Sequence, residues 1–339
     1  MGVTLKDIAK DLGVSVVTVS KVLRNHEDIG PETRARVQKR IKELNYQPNL
    51  AARALVTGRT SLMGLVVPDL VHSFFSQLAK DLSRVLRKRG YGLIISSSDE
   101  DAELEKEEIA HMLARSLDVL LVASAQSDSD TFRRLAEQRK PYVLIDRRIH
   151  GLKANYIGTD DHLAGVLATE HLIENGCRNI AHIAGKGVSP AIDRQEGYRA
   201  ALMKHGMTVS DRYISARSRG DESGDLAGYD AMKSLLMLDP RPDGVFCYND
   251  PMASGAMQAI LEAGLHIPQD IAIVGCGNVQ YAPLLRVPLT SVDQDSATLG
   301  ERAAKLALSL VGKKENVRPR TVLTEPKLIV RESSRKAER

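Results

Sequence analysis

In GVSVVTVSKVL, residues 13–23, four side chains could meet a surface that is partly apolar and partly anionic. Wound at about 100° per residue, Val19, Val22 and Leu23 share one face, Val17, Lys21 and Arg24 lie on another, and Val16 flanks it. Three aliphatics already anchor such a helix, so Val16 and Val17 are either a hydrophobic brace or half of a contact surface. Patterns of catalysis are missing elsewhere. GCGNVQ (275–280) nearly spells the dinucleotide fingerprint, but Gln280 stands where the third Gly or Ala belongs, and AGKGVS (184–189) lacks the phosphate-loop spacing. The sequence has no HExxH, no GxSxG and no tight Cys/His pair, and its nine histidines are scattered without metal-ligand spacing. No enzymatic activity, cofactor or metal is expected.

With 339 residues and 43% hydrophobic side chains, the chain is long enough for two or three compact units. No apolar run approaches a membrane span, and MGVTLKDIAKDL lacks a secretory pattern, so the expected address is the cytoplasm, with no membrane partner. Cys177, Cys247 and Cys276 are odd in number and far apart, which suits buried small apolar residues rather than a disulfide framework. Net charge is +4, unevenly spread. Residues 1–60 hold eleven Lys or Arg against six acids, a balance of +5 that leaves −1 for the remaining 279 residues. A small basic unit on a neutral body points to a polyanionic partner.

Those residues need elements to hold them. Thr4 with Asp7 forms a capping-box pattern opening a helix with Leu5, Ile8, Ala9 and Leu12 on one face, ended by Gly13. Ser15 can cap the next helix, and so short a join suits a helix-turn-helix, whose second helix is presented to the DNA major groove. Gly30-Pro31 opens a third helix, with Val37, Ile41 and Leu44 spaced for burial and Arg34, Arg36, Lys39, Arg40 and Lys42 elsewhere on its surface. Pro48 and Asn49 then punctuate, and residues 50–57 form a conditional helix, too short to stand alone. From Ser61 onward, apolar runs (LMGLVV, YGLII, DVLLVA, YVLI, IAHIA, GVFCY, IAIVG) alternate with helical stretches, implying parallel sheets between helices. The number of strands and a break near 158–161 suggest two doubly wound lobes, with a pocket beyond the strand ends between them.

The segments TLKDIAKDLGVSVVTVSKVLRN, ETRARVQKRIKELNYQPNLAARAL, YVLIDR, FCYNDPMASGAMQAILEAGLHIPQDIAIVG and LTSVDQ resemble the lac repressor (LacI/GalR) family of bacterial transcription regulators, nearly end to end. The resemblance implies a homodimer on a near-palindromic operator, controlled by a small effector in a two-lobed α/β core like that of periplasmic sugar-binding proteins. It implies a helix-turn-helix domain at 1–48, a hinge at 49–60 and a core at 61–339. The first lobe is expected at about 61–160 plus 292–320, the second at about 161–291 plus 321–332. Val16, Val17 and Lys21 fall at base-reading positions, where valines meet thymine methyls and Lys21 reaches a guanine edge or phosphate. Thr4, Ser15, Thr18, Ser20 and Asn25 are the accompanying DNA contacts, as are Asn49, Ala52, Arg53 and Leu55 of the hinge. Leu55 takes the minor-groove wedge position, flanked by the small Ala51, Ala52 and Ala54.

Effector contacts implied by the same resemblance are His72, Ser73, Phe74, Phe75, Asp146, Arg147, Arg194, Asn249, Asp250 and Gln294, with Phe74 or Phe75 stacking on a ligand face or serving the core. Two departures stand out: Gly277 replaces a common acid, and Glu222 lies near the position, by Asp221, of a common aromatic platform. With Arg147, Arg194, Arg217 and Arg219 nearby, these favour an anionic sugar derivative, such as a sugar acid or sugar phosphate, over a neutral sugar or purine. The main alternative is a solute-binding protein of transport, which would need export. After Val330 only RESSRKAER remains, too short for a tetramerising leucine repeat, so a dimer is expected.

Overall fold

The computed structural model describes residues 3–23, 26–46, 54, 58–216, 224–313 and 318–335. The chain divides into two compact units, Met1–Thr60 and Ser61–Arg339.

The first unit packs α1 (Leu5–Leu12), α2 (Val16–Leu23) and α3 (Pro31–Glu43) around Ile8, Ala9, Val19, Val22 and Val37. Thr4 and Asp7 close a reciprocal capping box, and Gly13 ends α1 at φ +65°, a left-handed turn that glycine adopts without steric cost. Ser15 Oγ accepts from the Thr18 amide at 3.0 Å and starts α2. Pro31 opens α3, where its missing N–H is no loss. Burying each large aliphatic here contributes about 1.5–3 kcal/mol, so a few side chains hold the unit.

The second unit contains two six-stranded sheets. In the first lobe the strands β1 (Leu62–Val67), β2 (Gly92–Ser97), β3 (Val119–Val122), β4 (Tyr142–Ile145) and β5 (Tyr156–Thr159) alternate with α4 (Ser73–Lys88), α5 (Ala102–Ala114) and α6 (Asp130–Glu137). In the second lobe β6 (Ile180–Ala184), β7 (Ile214–Ala216), β8 (Gly244–Cys247), β9 (Ala272–Cys276) and β10 (Thr290–Asp293) follow α7 (Asp161–Glu174) and alternate with α8 (Ser189–Lys204), α9 (Gly224–Leu236) and α10 (Asp250–Glu262). The chain then returns through α11 (Ser296–Leu310) and β11 (Thr321–Thr324) and ends its pairing at β12 (Lys327–Ile329). The sheet orders are β11-β5-β4-β3-β1-β2 and β12-β10-β9-β8-β6-β7, parallel except for the β10–β12 pair. Parallel strands buried on both faces explain the continuous apolar runs.

The lobe boundaries differ from those expected. Residues 321–324 pair with β5 in the first sheet, not the second, and residues 292–293 belong to β10 of the second. The chain therefore crosses after β5, after β10 and again between β11 and β12. Short β11 and β12 lie only two residues apart, so hydropathy alone does not separate them. Helix α11 belongs to the first lobe, where Leu299, Ala303 and Ala307 pack on Leu78 and Leu82 of α4.

Candidate functional site

Loops at the carboxyl ends of both sets of strands enclose a cavity of about 370 Å³, at the small end of the roughly 300–1,000 Å³ usual for ligand sites. The first lobe contributes His72, Phe74, Phe75, Ala125, Ser127, Asp146 and Arg147, and the second Lys186, Arg194, Tyr248, Asn249, Cys276 and Gln294.

Asp146 owes its place to an unusual turn. At the end of β4 its φ is +61°, and the Arg147 amide donates to the Ile145 carbonyl at 2.5 Å, closing a three-residue turn. Aspartate tolerates this left-handed conformation better than most residues. The Tyr156 hydroxyl donates to the Asp146 carbonyl at 2.9 Å, through space that exists because residue 158 is glycine: a Cβ there would lie 2.0 Å from the Tyr156 oxygen. Burial, reinforced by the nearby Asp161 carboxylate, pushes the Asp146 carboxyl up to about 6.

Both cavity arginines are already engaged. Arg147 donates from both Nη atoms to the two carboxylate oxygens of Glu100, each at 2.7 Å, a bidentate fork. Arg194 donates to Asp161 through Nε at 2.8 Å and to the Tyr248 carbonyl through Nη1 at 2.7 Å, with its guanidinium 4.8 Å from the Tyr248 ring centre. Arg147 Nε and Gln294 Nε2 are buried beside the cavity and have no acceptor among the described residues. His72 caps α4 by accepting the Phe74 amide at 3.3 Å, and its Nε2 faces Asn249 Nδ2 at 3.4 Å across the cleft. Burial lowers its pKa, disfavouring the charged ring.

Of the residues singled out from sequence, eight line the cavity: His72, Phe74, Phe75, Asp146, Arg147, Arg194, Asn249 and Gln294. Phe74 and Phe75 also belong to the first-lobe core and meet edge to face at 5.1 Å, so each lines the cavity while packing in the core. Ser73 and Asp250 stand outside the lining. Asp250 instead accepts from Ser291 Oγ at 2.6 Å and the Val279 amide at 2.8 Å, bracing the loop that follows Cys276. Burial pushes its carboxyl up to about 6 and the Cys276 thiol up to about 12, leaving that thiol inert. Arg217, Arg219, Asp221 and Glu222 lie outside the described residues.

In the first unit Val17 is 61% exposed and Val16 38%, while Val19 and Val22 are buried. Lys21 is ion-paired with Asp28. On α3 Arg40 binds Asp11 at 2.7 Å, Arg36 donates to the Leu12 carbonyl at 3.1 Å and Arg34 donates to the His26 carbonyl, so part of this basic surface ties the helices together. Asn25, Asn49, Ala52, Arg53 and Leu55 fall outside the described residues.

Family models match both units: residues 4–49 match bacterial regulatory proteins of the lacI family, and residues 169–334 a periplasmic binding protein-like domain. A ribose operon repressor of Halalkalibacterium halodurans is 33% identical over 336 residues, covering 99% of this chain and 98% of its own. The chain belongs to the LacI family of bacterial regulatory proteins. Among solved structures, the lac repressor dimer bound to operator and the anti-inducer ONPF superposes with a TM-score of 0.85 at 27% identity, covering 98% of this chain and 99% of that one. A CelR–cellobiose complex matches with a TM-score of 0.74 at 31% identity, over 98% and 99% of the two chains. As a LacI-family protein the chain is a DNA-binding transcriptional repressor and not an enzyme. No described helix is long and apolar enough to cross a membrane.

Sequence reading missed the carboxylates that face the arginines. Glu100 sits in the acidic run DEDAELEKEE, which reads as a solvated face, and Asp161 in a helix start where an acid is ordinary. Tyr248, one residue before Asn249, carried no signal beyond its position at a strand end.

Proposed function

We propose that this LacI-family repressor acts as a homodimer whose operator affinity is set by a small, neutral, polyhydroxylated effector in the interlobe cavity. The carrying observation is charge balance: Arg147 is matched by Glu100 and Arg194 by Asp161. Neither guanidinium is a spare counter-charge for an anion. Among the described residues, none donates a hydrogen bond to the side chain of Asp146, which offers an acceptor for a sugar hydroxyl in place of the acid missing at Gly277. This reading is preferred to the anionic effector expected from the missing acid at Gly277 and the nearby arginines. The CelR relative, solved with cellobiose, supports a neutral sugar.

On the DNA side, Val16, Val17 and Lys21 form the base-reading face, with Thr4, Ser15, Thr18, Ser20 and Asn25 around it and Leu55 as the minor-groove wedge. Exposure of Val16 and Val17 beside a buried Val19 and Val22 supports this reading.

The test is thermal stabilisation of the full chain by a panel of pentoses, hexoses, sugar acids, sugar phosphates and purines, followed by operator titration with each binder. A neutral sugar should raise the melting temperature and change operator affinity. Stabilisation by sugar acids or phosphates alone would restore the anionic reading.

A further inference from the structure

We propose that Glu105 is a positioning residue for effector binding, its buried carboxylate fixing the loop 124–127 that forms one wall of the cavity. This rests on the cavity being the effector site. Glu105 lies on α5 within a run of acids, yet it is completely buried, whereas Glu103 and Glu107 on either side are exposed. Its Oε1 accepts from Ser124 Oγ at 2.7 Å and from Gln126 Nε2 at 2.6 Å, and its Oε2 accepts from the Ala125 amide at 2.5 Å. Ser124 Oγ in turn accepts from the Gln126 amide at 3.0 Å, and Gln126 Oε1 accepts from Thr131 Oγ1 at 2.8 Å.

Three donors therefore converge on one carboxylate, from three consecutive residues that follow β3. Ala125 and Ser127, within and just after that set, line the cavity. A buried carboxylate that a plain core would not need is held where it orients a wall. Five residues earlier, just before the helix, Glu100 holds Arg147, so one short segment fixes two parts of the cavity. Burial raises the Glu105 carboxyl and its three donors oppose that rise; in all three bonds the Glu105 oxygens accept.

The Glu105→Gln variant keeps the volume but sets an amide NH2 against the loop's donors. In the full-length protein, hydrogen exchange at the Ala125 and Gln126 amides should quicken tenfold or more. Calorimetry with the panel's most stabilising neutral sugar should show affinity reduced tenfold or more, while operator affinity without sugar stays within twofold. The double variant Glu105→Gln/Gln126→Glu restores one donor–acceptor pair with its polarity reversed and should recover sugar affinity to within threefold. Unchanged exchange and affinity would overturn the proposal. So would equal losses of sugar and operator affinity without rescue, the mark of a general stabiliser. If no sugar binds, the site reading fails, and the exchange rates alone decide whether Glu105 holds the loop. If Glu105→Gln does not fold, Gln126→Ala serves, since it removes one loop donor; a weakening of threefold or more supports the role, and unchanged binding refutes it.

Discussion

Arg194 and Asp161 form a buried ion pair across the α7–α8 contact, with Nε at 2.8 Å and Nη2 at 2.7 Å from the same carboxylate oxygen. Removing one member strands the other charge in a dry interior, which costs about 3–5 kcal/mol, whereas replacing both by apolar groups of similar volume is often neutral. Arg194→Ala should therefore lower the melting temperature markedly, and Arg194→Met/Asp161→Leu should recover most of it. Neither variant should respond to effector. Thermal melts with operator titrations check this, and an Arg194→Ala protein as stable as wild type would show the pair to be dispensable.

Asp146 predicts two pH dependences of opposite sign. Its folded-state pKa of about 6 lies above the ordinary 3.8, so the stability it contributes is fully present below 3.8 and is lost as pH rises through about 6. If an effector hydroxyl donates to this carboxylate, as proposed, binding should strengthen over the same rise, by at most about tenfold per pH unit below 6. Asp146→Asn, which tolerates the positive φ, should flatten that dependence. Calorimetric titrations between pH 5 and 7.5 test it; a wild-type affinity independent of pH would remove Asp146 from the contact set.

The helix pair that carries Arg194 crosses at two glycines. A Cβ on Gly165 would stand 2.2 Å from the Arg194 carbonyl oxygen, and one on Gly197 would stand 2.1 Å from that of His162. Both obstacles are backbone, so neither yields by a rotamer change. Gly165→Ala should push α8 outward, costing about 1–3 kcal/mol, and should weaken effector binding by displacing Arg194. Melting curves and calorimetry on the same sample would show the two losses together.

The alternation of strands and helices and the helix-turn-helix were legible in the sequence because hydrophobic period encodes them, whereas the eight cavity residues were legible only through the family resemblance. The pairing of the charges was not. Arg147 and Arg194 read as free cations because Glu100 and Asp161 lie 47 and 33 residues away, and a partner at that distance leaves no local pattern. Glu105 is buried among acids that are exposed, and only packing distinguishes it. Gly277 shows the reverse: its φ of +128° makes any other residue strained, so its lack of a carboxylate follows from backbone geometry as well as ligand choice.

In the DNA-binding unit, Lys21 is ion-paired with Asp28, a pairing that any contact of Lys21 with DNA would have to break. Were it to reach a guanine edge, Lys21→Ala should lower specific operator affinity by about 1–3 kcal/mol and relax preference at one base pair in each half-site. Asp28→Ala removes the competing acid and should raise affinity for any duplex, most clearly at low salt. The two roles of the lysine separate in one experiment, a binding-site selection run alongside a salt titration. Loss of preference at a single base pair assigns Lys21 to base reading. An unchanged preference with the salt slope reduced by about one assigns it to a phosphate and leaves Val16 and Val17 as the sequence readers.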